Sequence, residues 1–344
     1  MTINNINRLL NSKNLTEYQY KTLIFCQEFL SDKELFTIKT SGSTGLPKDI
    51  LIKKEQMIAS AEMTCNFLNL EEKNSSLICI STEYIGGKMM LVRGILKNME
   101  MYLIEPASNP LKNIDIDIKF DFLSFVPLQI NNILTETPEK INILDKAKAI
   151  IIGGGEISET LAEKIQKISA PVYSTYGMTE TVSHIALKKI NGCDKQNYFS
   201  VLEKNKISLD SRGCLVINSP VTNNEDVITN DMVEIIDNNK FIWLGRVDNV
   251  INSGGIKIQA EILENKIKKL FDTNNISNLF FIKGEKDDKL GEKITIHIEN
   301  NLSLEEQNKI KSILKEFLSK YEYPKEFYFI KQIKLTETGK IKRI

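Results

Sequence analysis

Short apolar runs alternate with helix-like segments along the first two-thirds of the chain. Runs of this length are typical of buried strands, and they stand at Leu77–Ser81, Met101–Ile104, Phe122–Val126, Ala149–Ile152 and Val172–Thr175. Between them, segments such as Ser158–Ile168 repeat apolar residues at helical spacing. Alternating strands and helices predict an α/β fold, with mostly parallel sheets flanked by helices.

The pattern changes after about Arg212, where short strands are separated by turns rich in Asn and Asp. This stretch predicts a small antiparallel β module with strands at Cys214–Asn218, Met232–Ile236 and Phe241–Leu244. A small α+β domain is then predicted from a helix over Ala260–Phe271, strands at Asn278–Lys283 and Lys293–Ile298, a capping box at Ser303 and Glu306, and a last strand at Phe327–Ile330. We expect a large N-terminal domain over residues 1–246, a hinge at 247–249 and a small mobile C-terminal domain over 250–344.

Composition excludes several classes of protein. The chain has 344 residues, of which 42% are hydrophobic and 26% charged, as in ordinary globular proteins. Lys plus Arg (45) equals Asp plus Glu (45), which gives no support to nucleic-acid binding. Five widely spaced cysteines form neither a disulfide framework nor a metal knuckle. With no membrane-length apolar run and no signal-peptide pattern at the start, we expect a cytoplasmic protein without membrane insertion.

The strongest local signal is a loop rich in glycine and hydroxyl residues that ends in a lysine. Its N–H and O–H groups can all donate to one anion, and the lysine adds a positive charge, which suits a polyphosphate. The loop lacks the spacing of a Walker A motif and of a hydrolase nucleophile elbow. The alternative is a plain Gly/Ser turn. The candidate phosphate-binding residues are Thr40, Ser41, Gly42, Ser43, Thr44, Gly45 and Lys48.

A second cluster, Tyr173–Glu180, follows a predicted strand. Its aromatic residue beside a glycine can stack on a purine, while Thr179 offers a hydroxyl to a phosphate and Glu180 a carboxylate to Mg²⁺. An ordinary turn at the end of a strand is the alternative.

Two further clusters lie later in the chain. Gly245–Lys257 spans the expected domain boundary, and its glycines permit a hinge. Leu335–Arg343 is rich in Thr, Gly and Lys, and its alternative interpretation is a frayed basic tail.

The order and spacing of these clusters resemble the adenylate-forming superfamily of acyl-CoA synthetases and adenylation domains. The resemblance runs from Thr40 to Arg343 through TSGSTGLPK, YGMTE, Thr229–Asp231, GRVDN, GGIKI and TETGKIKR. It implies a two-step reaction: a carboxylate attacks the α-phosphate of ATP, releasing pyrophosphate, and a thiol, usually that of coenzyme A, then displaces AMP. ATP and CoA are the implied substrates, and Mg²⁺ the implied activator.

The resemblance also implies a role for each matching residue. The loop would hold the β- and γ-phosphates, Thr179 would touch the α-phosphate and Glu180 would hold magnesium. Lys340 would be the catalytic lysine, whose ammonium stabilises charge in the transition state. The remaining implied sites are the adenine pocket (Gly154, Gly155, Glu156, Tyr176, Gly177), the ribose contacts (Asp231, Arg246), the hinge (Asp248) and the CoA channel (Gly254, Gly255).

The chain departs from the family pattern in three respects. Only 39 residues precede the loop, Ser174 stands where many relatives have Asn, and Asn249 replaces the usual second Asp. The resemblance therefore does not define the outer wall of the acyl pocket.

Two local strings narrow the choice of acid. Ser81–Arg93 and Glu180–Leu187 resemble the short o-succinylbenzoate–CoA ligases of menaquinone biosynthesis. That acid carries a second, aromatic carboxylate, so its pocket needs a cationic or strongly hydrogen-bonding group. The candidates are Lys88, Ser183 and His184. The alternatives are a solvated helix face for Lys88 and Arg93, and a structural role for His184.

The sequence is also compatible with other functions. The chain could activate another aryl or aliphatic acid, load a carrier-protein thiol, or bind a nucleotide without catalysis. The presence of Lys340 and Glu180 argues against the last. The expected partners are a small carboxylic acid, ATP and CoA, without nucleic acid; a homo-oligomer is compatible with the sequence.

Overall fold

The computed structural model describes residues 6–10, 14–39, 49–155, 157–299 and 302–334, together with Ile341 and Arg343. The predicted phosphate loop (Thr40–Lys48), Glu156 and Lys340 lie outside the described residues. The chain forms two compact units. Unit 1 comprises Met1–Ile207, Ile217–Val227 and Ile236–Phe241, and unit 2 comprises Ser208–Val216, Ile228–Ile235 and Ile242–Ile344. The boundaries predicted at 246 and 250 stay a prediction.

The described helices are α1 (Ile6–Leu10), α2 (Glu17–Leu30), α3 (Lys54–Phe67), α4 (Ile85–Leu96), α5 (Pro127–Glu136), α6 (Ile141–Asp145), α7 (Glu159–Ile165), α8 (Ala260–Thr273) and α9 (Leu304–Phe317). The strands before the second unit's sheet are β1 (Leu35–Lys39), β2 (Asp49–Lys53), β3 (Ser75–Ile78), β4 (Glu100–Leu103), β5 (Phe122–Phe125), β6 (Ala149–Ile152), β7 (Val172–Gly177), β8 (His184–Lys189), β9 (Phe199–Val201), β10 (Lys206–Leu209), β11 (Cys214–Asn218), β12 (Asp226–Asp237) and β13 (Lys240–Arg246). The later strands are β14 (Val250–Ser253), β15 (Ile256–Gln259), β16 (Phe280–Asp287), β17 (Gly291–Glu299) and β18 (Glu326–Ile330).

Unit 1 is built on a sheet whose order is β4-β3-β5-β6-β7-β8-β9. The pairs from β4 to β7 are parallel, and β8 and β9 then run antiparallel. Residues of β5 and β6 are buried throughout, as expected for parallel strands covered on both faces. The predicted α/β fold is therefore confirmed, with strand ends shifted by a few residues.

Local signals explain where the elements of unit 1 begin and end. Helix α7 begins after Ser158, whose Oγ accepts a hydrogen bond from the Leu161 backbone N–H. It ends at Ile165, three residues before the predicted end. Strands β1 and β2 form a separate antiparallel hairpin. Each of β10 to β13 contributes residues to both units.

Unit 2 carries a second sheet of order β15-β14-β17-β16, with β18 parallel to β17. Helices α8 and α9 supply Leu263, Ile267 and Leu314 to the core beneath it. The predicted capping box is confirmed, because Ser303 and Glu306 exchange hydrogen bonds with each other's backbone N–H. Strands β14 and β15 form a hairpin directly after the predicted hinge, where the sequence predicted no strand.

No helix among the described residues is long and apolar enough to cross a membrane.

Candidate active site

The first group of predicted site residues lies at the carboxyl end of the parallel sheet in unit 1. Strands β6 and β7 pair in register, with Ile152 opposite Ser174, so the segments that follow them leave the same edge. This edge is where open α/β sheets bind ligands. The register places Gly154 and Gly155 after β6 at the same sheet edge as Tyr176 and Gly177 at the end of β7. Thr179 and Glu180 follow in a 3-10 turn, and Glu180 is exposed.

The Tyr176 ring has a fixed place within unit 1. Its centroid lies 5.7 Å from that of Phe199 and 5.1 Å from that of Phe241. Gly154 has a φ of +82°, a backbone conformation that side-chain-bearing residues rarely adopt. The structure thus supplies an anchored aromatic ring and a glycine turn at neighbouring strand ends.

Gly177 is required by a close approach of two strands. A Cβ at this position would lie 2.3 Å from the Ser183 carbonyl oxygen and 2.4 Å from the His184 Cα. The pairing of β7 with β8 shifts register at this point. Val182, in the connecting turn, has a φ of +63°, which is strained for a β-branched residue. The turn that carries Thr179 and Glu180 is therefore tightly constrained. Strained backbone of this kind is often found at functional sites.

A buried cation lies directly behind this turn. Arg93 on α4 is 2% exposed, and its Nη2 donates to Ser183 Oγ at 3.1 Å and to Thr64 Oγ1 at 3.3 Å. Its Nε has no hydrogen-bond partner among the described residues, and none of their carboxylates forms an ion pair with it. Burial lowers the pKa of Arg93 to about 10, so the guanidinium is still charged at neutral pH. Arg93 therefore does not lie on a solvated helix face.

His184 belongs to the same group. It is buried, with Nε2 at 2.9 Å from Thr64 Oγ1 and Nδ1 at 3.4 Å from Ser183 Oγ. The Thr64 hydroxyl donates its one proton to the Ser60 carbonyl, so the contact with His184 requires a proton on Nε2. Burial, and next the Arg93 cation, lower the pKa of His184 well below its ordinary value. Neutral His184 thus orients Thr64 and Ser183 around the guanidinium.

Lys88 lies on the same helix but has different contacts. Its Nζ donates to the Thr82 carbonyl at 2.6 Å and lies 5.0 Å from the centroid of the Phe25 ring. Burial lowers the pKa of Lys88. Its ammonium is therefore already engaged within unit 1, and its predicted role in the acyl pocket stays a prediction.

The predicted ribose and hinge residues form one network within unit 2. Arg246 Nη2 donates to Asp248 at 2.8 Å, and Nη1 lies 3.8 Å from Asp231 Oδ1. Trp243 Nε1 donates to the same Asp231 oxygen at 3.2 Å. Burial alone would lower the pKa of Arg246, but the carboxylates of Asp248 and Asp231 outweigh it and raise that pKa. Asn230 also donates to Asp248, so the predicted hinge residue has two side-chain partners.

Gly254 and Gly255 form the two-residue turn between β14 and β15. Their φ angles are +60° and +81°, which favour glycine at both positions of such a hairpin turn. A Cβ on Gly255 would meet no described atom within 4 Å, so conformation rather than crowding accounts for the glycine. Their predicted role in a CoA channel stays a prediction.

Sequence reasoning missed Arg93, Thr64 and Trp243 as functional candidates. Arg93 was not among the predicted site residues and a solvated helix face was its alternative, although the apolar residues around it on α4 were a signal of burial. The Trp243 contact required knowledge of how β12 and β13 place their side chains.

Comparison with known proteins adds to this geometry. The sequence model of the family described as "AMP-binding enzyme" matches residues 21–204. The chain belongs to the AMP-binding enzyme family. An acyl-CoA synthetase (AMP-forming)/AMP-acid ligase II-like protein from Dyadobacter fermentans is 38% identical, with a TM-score of 0.69, and the alignment covers 100% of this chain and 97% of that one.

Two further proteins resemble this chain at lower sequence identity. A 2-succinylbenzoate--CoA ligase from Haemophilus influenzae is 24% identical over 84% of this chain, and the chain spans 65% of that relative's length. The o-succinylbenzoate coenzyme A synthetase (MenE) from Bacillus subtilis, in complex with ATP and a magnesium ion, has a TM-score of 0.72 at 18% identity, covering 99% of this chain and 81% of that one. The last likeness supports the fold.

Proposed function

We propose that this protein is an ATP-dependent ligase that joins coenzyme A to an acid with a second carboxylate, most specifically o-succinylbenzoate. The acid and ATP would give an acyl-adenylate and pyrophosphate, and CoA would then displace AMP to give the thioester. Family membership and the curated relative's name support the reaction class and the acid. The product would enter menaquinone biosynthesis, and the use of ATP and CoA makes the cytoplasm the expected compartment.

The observation that carries the choice of acid is the buried, uncompensated guanidinium of Arg93. A buried charge is costly unless an opposite charge and hydrogen bonds compensate it. No carboxylate of the described residues does so for Arg93. A substrate carboxylate would provide that compensation, and Ser183, which is half-buried, connects the guanidinium to the surface of unit 1. We therefore assign recognition of the second carboxylate to Arg93 through Ser183, with His184 as the orienting residue, in preference to Lys88.

The acid's other carboxylate is the one that reacts. In the proposed reaction its oxygen forms a bond to the α-phosphorus of ATP, and the bond between the α-phosphorus and the bridging oxygen breaks to release pyrophosphate. Lys340 would stabilise the charge that builds on these oxygens, while Thr40–Lys48 would hold the departing phosphates. Thr179 would donate to the α-phosphate.

Magnesium fits the geometry at Glu180. The described residues contain no group of three or more acidic, histidine or cysteine side chains that could hold a metal by themselves. Mg²⁺ commonly uses one or two carboxylates together with substrate phosphates, so one exposed carboxylate on the turn suits an ion that arrives with ATP. When bound, the ion would neutralise phosphate charge.

The nucleotide's base and sugar have separate proposed partners. Tyr176 and Gly177, with Gly154, Gly155 and Glu156, would receive the adenine. Asp231 would accept hydrogen bonds from the ribose hydroxyls, and the Trp243 hydrogen bond would fix its carboxylate. For the second step, Asp248 would act as the hinge, while Gly254 and Gly255 would pass the pantetheine arm.

A pair of matched acids tests the proposal. Pyrophosphate release and thioester formation would be measured with o-succinylbenzoate and with benzoylpropanoate, which keeps the reacting carboxylate and lacks the one on the ring. We expect kcat/KM to favour o-succinylbenzoate by about 100-fold, since a site built for a polar group discriminates strongly against its absence. Each assay would be run with and without CoA.

The other outcomes are equally informative. Equal turnover of the two acids would contradict recognition of the second carboxylate. Turnover of only benzoate or a fatty acid would retain the ligase class and reject the acid. Pyrophosphate release without a CoA thioester, but with transfer to a carrier-protein thiol, would identify a loading enzyme. No turnover with any acid would contradict the proposed reaction.

A further inference from the structure

A second arginine, Arg343, forms a bidentate ion pair in unit 2. Its Nη1 and Nη2 donate to Glu264 Oε1 and Oε2 on α8, at 2.5 and 2.7 Å. The Arg343 and Glu264 side chains are 24% and 16% exposed. Paired N–H donors that match both carboxylate oxygens give geometric specificity as well as energy, and lysine cannot reproduce them.

The same pair covers the edge of the small sheet. The Ile282 backbone N–H donates to Glu264 Oε1 at 2.6 Å, and the Ile282 carbonyl accepts from Arg343 Nη1 at 2.7 Å. Strand β16 is the last in the described strand order, and Ile282 lies opposite Ile296 of β17. In an antiparallel pair the N–H and C=O of one residue point to the same side. Because those of Ile282 are bonded to Glu264 and Arg343, they point away from β17. Glu264 and Arg343 therefore satisfy an otherwise open sheet edge.

This arrangement ties the end of the chain to two elements of unit 2 at once. Arg343 contacts both α8 and β16, and Ile341, two residues earlier, forms a β-bridge. Lys340 precedes Arg343 by three residues, so chain length alone keeps their Cα atoms within about 11 Å. The Arg343 contacts therefore give the chain a fixed point on unit 2 three positions after Lys340 in the sequence.

We propose that Arg343, paired with Glu264, is a positioning residue for adenylate formation, because it anchors the segment that carries Lys340. The inference rests on the proposed function. Lys340 has to approach the reacting phosphate only in the first step. Loss of the anchor should therefore impair adenylate formation and leave the thioester step largely intact.

The test compares the two half-reactions in full-length variants. Arg343→Lys keeps the positive charge and loses the paired N–H donors. Glu264→Gln keeps the side-chain shape and loses the negative charge. The double variant combines the two changes. Lys266→Ala is the matched control, since it breaks another ion pair of α8, with Glu322 at 2.8 Å. Adenylate formation would be measured as acid-dependent pyrophosphate release, and the second step as thioester formation from supplied acyl-adenylate.

We expect Arg343→Lys to slow adenylate formation at least tenfold, in the range that a misplacement of about 1 Å produces. The thioester step should change less than about twofold, and Lys266→Ala should match the wild type. The double variant should be no worse than the worse single variant, because coupled residues are not additive. A near-native circular dichroism melt for Arg343→Lys excludes a folding defect as the cause.

The inference is overturned if a folded Arg343→Lys variant forms adenylate at the wild-type rate, or if both half-reactions fall equally. It is also overturned if the effects of the Arg343 and Glu264 variants simply add. Failure of the proposed function is a separate result, because it would appear in the wild-type protein as an absence of pyrophosphate release with every acid.

Discussion

Arg93 in unit 1 and Arg343 in unit 2 are both largely buried, and the two arginines differ in what surrounds them. Arg343 in unit 2 has a carboxylate partner built into the chain, with both Glu264 oxygens engaged. Arg93 in unit 1 is more deeply buried, yet its described partners are the hydroxyls of Thr64 and Ser183. Neutral hydroxyls orient a guanidinium without balancing its charge.

We infer from this difference that Arg343 serves structure and that Arg93 serves a ligand. A charge whose partner lies in the chain contributes to holding that region together. A buried charge surrounded by neutral donors and acceptors is prepared for an anion from outside, and the free energy spent in burying it is recovered when the anion binds. We therefore expect opposite responses when the two arginine environments are altered.

The largest expected effect lies beside the Arg343 anchor. Lys340→Ala should reduce adenylate formation by about 100- to 1,000-fold, because it removes an electrostatic contact made in the transition state. Thioester formation from supplied acyl-adenylate should be largely retained. The two rates would be measured separately, and an equal loss of both would contradict the assignment of this region to the first step alone.

The next effect lies in unit 1. Arg93→Met should lower kcat/KM for o-succinylbenzoate by about 100-fold, since a hydrogen-bonded charge pair with the substrate is lost. The same variant should change kcat/KM for benzoylpropanoate little, because that acid lacks the second carboxylate. Lys88→Met is the matched control on the same helix. Equal losses for the two acids would show that Arg93 acts on folding rather than on recognition.

The free energy of unfolding should also distinguish the two arginines, and here the larger loss is expected at the Arg343 pair. Glu264→Ala leaves Arg343 without its carboxylate and should lower the free energy of unfolding by about 2 kcal/mol, less than for a fully buried pair. Arg93→Met removes an uncompensated buried charge, so stability should be unchanged or raised. Urea titrations followed by circular dichroism would measure both. A large destabilisation by Arg93→Met would contradict the comparison.

Periodicity was sufficient to predict the fold class. The parallel strands of unit 1 are buried on both faces and therefore appear as continuous apolar runs, of which Ala149–Ile152 is an example. The helix over α8 and the capping box at Ser303 were likewise predicted, because both depend on local spacing. The hairpin of β14 and β15 was missed, because Gly254 and Gly255 were assigned to a CoA channel and not to a hairpin turn.

The candidate site was predictable only where its residues are close in sequence. The turn from Tyr176 to Glu180 is contiguous, and the structure keeps it at one strand end. Arg93 and Ser183 are 90 positions apart, and Arg343 and Glu264 are 79 apart. No local pattern indicates such pairings, since they depend on how helices pack on a sheet. The apolar neighbours of Arg93 on α4 indicate that it is buried, but that packing decides which side chains it contacts.

The smallest expected effect compares the two histidines, one in each unit. Burial lowers the pKa of both, strongly for His184 beside Arg93 and less for half-buried His297, where Lys283 adds to the lowering and Glu285 opposes it. A histidine with a lowered folded-state pKa leaves stability unaffected above its unfolded pKa, about 6.5. Below that pH the unfolded state binds a proton that the folded state does not, so stability falls.

The acid sensitivity should therefore reside mainly in unit 1. Between pH 6.5 and 5.5, His184 should contribute a loss of up to about 1 kcal/mol in the free energy of unfolding, and His297 a smaller one. Urea titrations at pH 7.5, 6.5 and 5.5 would measure the slope for the wild type, His184→Gln and His297→Gln. The His184→Gln slope should be the flatter of the two variants. A flatter slope for His297→Gln would contradict the strong lowering of the His184 pKa by burial beside Arg93. The proposed carboxylate site requires that burial.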